Sequence, residues 1–583
     1  MEQQGYSSAR NVQILIHLLK AHGISKVIVS PGTQNMDFVT SIARDGNFEI
    51  FSSPDERSAA YMACGMAVES GQPVVITCTG ATASRNYLSA LTEAYYRHIP
   101  IVAVTATQPT SWIGNNVAQV IDRRVQPNDT VKCSVTARFV RNHDDEWDCT
   151  LQINKALLEL NHHGQGPVHI NIERGASDFS THELPPARVI SRITTQDEPP
   201  ALPHGRIAIF LGAHPAWSES AATAMERFCS EHDAVVFTDQ TGNYKGTYSA
   251  AASIVASQDR YDSPVLSTDL LIQLGDVSGD YYLTGKLGRM TRQVWRVDPD
   301  GKLKDNHHKL THIFEMDETS FFTRYTSGKD THRMEQVKTC RQEIADVRDQ
   351  IPELPLSNIW MAQQLCGLIP AGSVLHLGIL NSLRAWNFFE TDSSVRTYCN
   401  TGGFGIDGGV STLLGASLVH PDKLYFGIYG DLAFFYDMNS LGNRHLGNNV
   451  RILLVNNATG VEFKLYSHPA SALEDEVNSL IAATGHYGNK SHDLARHYAQ
   501  DLGFTYLSAG TKDEFLKYSR LFTDPSIGDK PLFFEVFVNP ENENEALKLI
   551  NGILVSPQNR RKEAIKGIVG EKTIHAVKRM LGK

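Results

Sequence analysis

Short runs of consecutive apolar residues, each followed by a longer amphipathic stretch, recur along most of this chain. Between about Gly5 and Ser180 the runs are KVIVSPG, PVVITCTG, PIVAVTA and PVHINIE. A run that is apolar at every position, rather than at alternate ones, suits a strand covered on both faces, and the intervening helices supply the cover. That pattern restricts the chain to parallel α/β sheets. A Pro-rich stretch, ELPPARVISRITTQDEPPALPHG, reads as a linker. A second block then supplies RIAIFLGAHP, AVVFTDQTG, LLIQLGD and QVWRVDPDG and ends in a charged helix. A third, from about Leu356, supplies SVLHLGI, KLYFGIYGD, RILLVNN and LFFEVFV. The expected fold is therefore α/β, with three open, mostly parallel-sheet domains over residues 1–185, 203–345 and 355–545 and a helical tail over 546–583. In such sheets ligands sit off the carboxyl ends of the strands.

At 583 residues the chain is too long for one core. A formal net charge of -10, with no cluster of Lys and Arg interleaved with aromatics, argues against a nucleic-acid or anionic-membrane partner. The N-terminus is not basic and no apolar run approaches membrane-spanning length, so a cytoplasmic location is expected. Eight scattered cysteines without a CxxC pair read as free thiols, not as disulfides or a zinc site.

Two strand ends in the third block carry chemistry. One run ends in Gly430-Asp431 and the next in Asn456-Asn457, with one helix between them. Neighbouring parallel strands would bring a carboxylate and an amide oxygen together, a donor set that suits a hard cation such as Mg²⁺, which also bridges phosphates. Gly430 permits close backbone approach, and the helix start after Asp431 offers N–H groups to an anion. Taken singly, Asp after Gly is a common helix cap and an Asn pair a common turn.

Together these residues resemble the Gly-Asp…Asn-Asn motif of thiamine diphosphate enzymes. The resemblance implies that Asp431, Asn457 and the backbone carbonyl of Thr459 hold Mg²⁺, and that Gly430 and Leu432 border the cofactor; Leu432 stands where the family more often has Gly. In the first block, PDERSAAYMACGMA and CTGATASRNYLSALTEAYYRHIPIVAVTA are similar to the family's pyrimidine-binding domain. Glu56 then falls where a glutamate acts on N1′ of the cofactor's aminopyrimidine, and Gly80 lines the same cofactor. By itself, Glu56 in the bare DER would read as a helix start favoured by the dipole. Since Glu56 and Asp431 belong to different domains, the family arrangement implies a homodimer or homotetramer with cofactor held between subunits.

Within the family, VSPGTQN, NNVAQVID, NTGGFGIDGGVSTLLG and GDLAFFYDMNSLG resemble the menaquinone-pathway synthases that make 2-succinyl-5-enolpyruvyl-6-hydroxy-3-cyclohexene-1-carboxylate. Ile406 falls where a bulky apolar residue props the cofactor, and Gln119 where a glutamine faces the aminopyrimidine. Thr33, Gln34, Asn381, Ser382 and Phe463 fall at substrate positions. Glu462 is a candidate catalytic residue near the cofactor, or else the partner of an ion pair with Lys464. Several arginines of those synthases are missing: Gln34 and Thr401 replace two, another is absent from QPTSWIGNNVAQVID, and a fourth position falls on Trp386, with Arg384 one turn away. Leaving substrate carboxylates unpaired in a closed pocket costs several kcal/mol. The expectation is accordingly a carboligase that decarboxylates a 2-oxo acid donor and transfers the acyl carbanion to an unidentified acceptor. The menaquinone reaction is the alternative and simple 2-oxo acid decarboxylation a second one. The central domain shows no nucleotide fingerprint and is expected to bind no flavin. His162 and His163 read as surface-loop residues, and His98 and His376 as satisfied core histidines.

Overall fold

The computed structural model describes residues 5–329, 331–485 and 491–555. They hold three sheets of parallel strands, and the chain divides into two compact units. The first spans Met1–Arg192 with Thr311–Ile313, and the second the remainder.

In the first unit the strand order is Glu49–Ser52, Lys26–Val29, Val74–Cys78, Ile101–Thr107, Val168–Glu173, Cys133–Ala137, all pairings parallel. Val74–Cys78 and Ile101–Thr107 are buried along their whole length, as continuous apolar runs require. The helix Glu56–Ser70 begins at Asp55, whose side chain caps the N–H of Ser58. Its small face, Ala59, Ala60, Ala63, Cys64 and Ala67, is buried against the sheet, while Tyr61 and Met62 are exposed.

The second unit carries two sheets. One includes, in order, Ser249–Ala250, Val235–Thr238, Ile207–Leu211, Thr268–Leu274 and Thr291–Val297. The other runs Arg396–Tyr398, Val374–Leu377, Tyr425–Gly430, Val450–Asn456, Leu532–Phe537, Thr505–Ala509. This order repeats that of the first unit's sheet: the second strand on the outside of the first, then the third, fourth, sixth and fifth. In both, the order reverses between the first and third strands, and the crevice at the carboxyl ends there is where an open α/β sheet takes a ligand. Ile452, Leu453, Leu454 and Val455 are wholly buried, each contributing about 1.5–3 kcal/mol of apolar burial.

The Pro-rich stretch expected to be a linker contains the strand Ser191–Thr194 between its two proline pairs. Of the expected tail, residues 546–551 complete the helix Pro540–Asn551, and 556–583 lie outside the described residues.

Candidate active site

Asn456 closes the strand Val450–Asn456. Its Nδ2 donates to Oε1 of Glu535 on the adjacent strand at 2.7 Å, and its Oδ1 accepts from the N–H of Ala458. Ala458 takes φ 64°, a left-handed turn that reverses the chain directly after Asn457. Asn457 is buried, and its Oδ1 has no hydrogen-bond partner among the described residues.

One strand away, Gly430 pairs in register with Val455, so that Asp431 follows at the same edge. Asp431 Oδ1 accepts from the N–H of Leu432 at 2.7 Å, while Oδ2 is buried with no hydrogen-bond partner among the described residues. Burial pushes this carboxyl up to about 6, against the backbone N–H groups of Leu432, Ala458, Thr459 and Asn457. Thr459 is buried too; its carbonyl accepts from the N–H of Val461 at 2.9 Å, which leaves one lone pair. Two buried oxygens left bare beside such a carbonyl are costly in a folded protein unless something binds them. A Cβ added to Gly430 would meet nothing within 4 Å, so the space in front of its backbone is open. These residues fit a divalent cation with oxygen ligands and an anion beside it.

Ile406 lines a small cavity with His376, Gly378, Asn400, Tyr429 and Ala433. His376 is buried and its Nε2 has no hydrogen-bond partner among the described residues; burial lowers it to about 4 and keeps it neutral at pH 7. It is thus a core histidine, though one nitrogen is not satisfied. His98 departs further from expectation, being exposed at φ 57° just past a helix end.

In the first unit, the corresponding edge gathers Gln34, Gly80 and Gln119. Gln34 Oε1 accepts from the N–H of Gly80 at 3.1 Å, and its Nε2 donates to Oε1 of Gln119 at 2.8 Å. Gln119 itself sits at φ 62°. A Cβ on Gly80 would lie 2.7 Å from the Ala106 carbonyl, which explains the glycine. Arg123, which the sequence did not single out, is buried behind this group and donates to Thr105, Asn171 and the Ala106 carbonyl. Thr33 is exposed. Glu56 is the first residue of its helix, half-buried, with Oε2 accepting from Asn86 Nδ2 at 3.0 Å.

Residues 10–125 match the family described as thiamine pyrophosphate enzyme, N-terminal TPP binding domain. A protein of Bacteroides fragilis named 2-succinyl-5-enolpyruvyl-6-hydroxy-3-cyclohexene-1-carboxylate synthase is 31% identical over 563 residues, covering 93% of this chain and 98% of that protein. Proteins of the same name from Bacteroides thetaiotaomicron and Flavobacterium johnsoniae are 30% and 27% identical, again over 93% of this chain and 98% of theirs. The chain belongs to the thiamine diphosphate enzymes. It is a thiamine diphosphate-dependent transferase that uses a divalent metal ion.

The remaining candidates of this thiamine diphosphate enzyme include one member of a partly buried ion pair. Arg384 lies on the helix Asn381–Asn387, which follows the strand Val374–Leu377, and Glu462 on the turn Val461–Lys464 that follows Asn457. Arg384 Nη1 and Nη2 donate to Glu462 Oε2 and Oε1, each at 2.8 Å, and Nη1 also donates to Asn381 Oδ1 at 2.8 Å. Glu462 therefore pairs with Arg384 and not with Lys464, because side chains two apart on a turn do not face each other. The Glu462 carboxylate in turn holds the Arg384 guanidinium above its usual range, against the effect of burial. Ser382 is buried and accepts from Asn358 Nδ2 at 3.4 Å. Phe463 meets His468 edge-on at 5.3 Å. Trp386, at the position expected for an arginine, is wholly buried.

Glu543 escaped the sequence reading because it stands on the final helix, far from any motif. It is buried, accepts from the N–H of Asn358, and is pushed up to about 7 by burial, with the charge of Asp431 adding to the shift. All eight cysteines are unbridged. No described helix is long and apolar enough to cross a membrane.

Proposed function

We propose that this enzyme decarboxylates a 2-oxo acid and joins the acyl unit to an acceptor in the reaction its relatives are named for, with 2-oxoglutarate as donor and isochorismate as acceptor. The carrying observation is the end-to-end match to the synthases, which spans 98% of their length. It outweighs the preference for another acceptor that the missing arginines suggested.

Asp431 Oδ2, Asn457 Oδ1 and the Thr459 carbonyl would hold Mg²⁺, with Gly430 and Leu432 bordering the diphosphate. Thiamine diphosphate supplies an electron sink for the carbanion left when CO₂ departs. Glu56 would hold a proton at N1′ of its aminopyrimidine, Gln119 and Gly80 would face that ring, and Ile406 would fix the cofactor's bend. Thr33, Gln34, Asn381, Ser382 and Phe463 would orient and desolvate the substrates. The family arrangement supports a homodimer or a larger homo-oligomer as the active form. The exposure of Ile50, Phe51, Tyr61 and Met62, in the same unit as Glu56, supports this.

A second reading, a carboligase with a monoanionic 2-oxo acid donor or a non-menaquinone acceptor such as a sugar or a keto compound, is favoured by one observation: Arg384 is already engaged bidentately by Glu462. Loss of isochorismate with 2-oxoglutarate, thiamine diphosphate and Mg²⁺ tests the first reading, with dependence on all four expected. Release of CO₂ without consumption of isochorismate would transfer support to the second.

A further inference from the structure

The helix Glu335–Arg348 buries Val337, Cys340, Ile344 and Val347 and keeps Lys338, Thr339, Gln342 and Asp346 exposed. Lys338, Gln342 and Asp346 make one four-residue ridge and Thr339, Glu343 and Val347 the next, the relief into which a second helix packs. With Tyr261, Leu554 and Val555 these residues line a groove of about 750 Å³. Glu343 Oε1 is buried there with no hydrogen-bond partner among the described residues, and an orphaned carboxylate oxygen calls for a donor or a cation.

The backbone leads into this groove. Gln258 is wholly buried, donates to the Ile550 carbonyl at 2.9 Å and accepts from the N–H of Leu554 at 2.8 Å. Val555 then pairs with Arg260 in a parallel bridge. Residues 556–583, which lie outside the described residues, carry eight basic side chains against two acidic ones in a chain whose formal net charge is -10. Arg560, Arg561 and Lys562 come first; Ile565, Ile568 and Val569 follow at helical spacing, and Ile574, Val577 and Leu581 repeat it.

We propose that residues 556–583 dock in this groove on their own chain, with Arg560, Arg561 and Lys562 on Glu343 and Asp346 and the apolar positions along the two ridges. The chain's own tail is the occupant because its root, Val555, already lines the groove. Arg560 stands five positions further on, a reach of up to about 17 Å. A tether that short holds the basic cluster at an effective concentration on the order of millimolar, which an outside partner would have to exceed.

The test is hydrogen exchange of the full-length enzyme, read by mass spectrometry, beside a synthetic peptide of residues 556–583. Tail amides in the enzyme are expected to exchange at least about tenfold more slowly than in the free peptide. Glu343→Lys/Asp346→Lys reverses the charge of the groove and is expected to abolish that protection, while exchange in the strand Thr268–Leu274 stays as in the parent and shows that the variant is folded. Adding Arg560→Glu/Arg561→Glu/Lys562→Glu to that variant restores opposite charges and is expected to restore the protection. A parent tail that exchanges like the peptide, or protection that survives Glu343→Lys/Asp346→Lys, would overturn the proposal. So would protection that fades on dilution, which would assign the groove to the tail of a second copy.

Discussion

Asn456 Nδ2 donates to Glu535 Oε1 at 2.7 Å, tying two neighbouring strands together directly beneath the crevice. Of two adjacent asparagines, then, the first is committed to the fold and the second, Asn457, offers a bare oxygen. Asn456→Ala is expected to destabilise the protein by about 1–3 kcal/mol, because Glu535 stays buried with Tyr506 as its remaining side-chain partner. Asn457→Ala should leave the unfolding free energy within about 1 kcal/mol of the parent and weaken Mg²⁺-dependent binding of thiamine diphosphate at least about tenfold. Urea denaturation and cofactor titration of the two variants separate these effects.

Two glycines provide a second contrast. An alanine at Gly80 would press on the Ala106 carbonyl at 2.7 Å and on Arg123 Nη2 at 3.1 Å. Gly80→Ala should thus destabilise by about 1–3 kcal/mol. At Gly430 the added methyl meets nothing in the chain. Gly430→Ala should keep the parent's melting temperature and lose cofactor affinity, as read by thermal melting with and without thiamine diphosphate.

Glu56→Gln keeps the size and the hydrogen bond from Asn86 but cannot exchange a proton. Turnover is expected to fall by about 10²–10⁴-fold, while thiamine diphosphate still binds in a titration. A variant that turns over like the parent would remove Glu56 from the chemistry.

Asp280 carries a pH dependence that does not involve the crevice. Burial pushes it up to about 6, opposed by hydrogen bonds from Ser253 and from the N–H of Leu283. An unfolded aspartate titrates near 4, so between about pH 4 and 6 the folded state holds the extra proton and stability falls as pH rises. The drop attributable to this group is on the order of 3 kcal/mol. Asp280→Asn should flatten that limb of a stability-versus-pH curve measured by urea denaturation.

The central strands of each sheet were legible because continuous apolar runs have few other uses in a chain of this length. Edge strands were not: Glu49–Ser52 is exposed at every position and Arg396–Tyr398 is three residues long with an exposed arginine, so neither has an apolar run to show. Ser191–Thr194 was hidden between prolines for the same reason. Asp431 and Asn457 could be read because the sheet forces them to one edge. The Arg384–Glu462 pair could not, because it joins residues 78 positions apart, one on a helix and one on a turn after different strands. Nor could Glu543, whose proximity to Asp431 depends on how the last helix packs.

The most direct measurement is CO₂ release from 2-oxoglutarate and from pyruvate, with thiamine diphosphate and Mg²⁺ present and no acceptor added. The account predicts release from 2-oxoglutarate that requires both cofactors and exceeds release from pyruvate. Release from pyruvate alone, or from neither acid with the cofactor demonstrably bound, would contradict it.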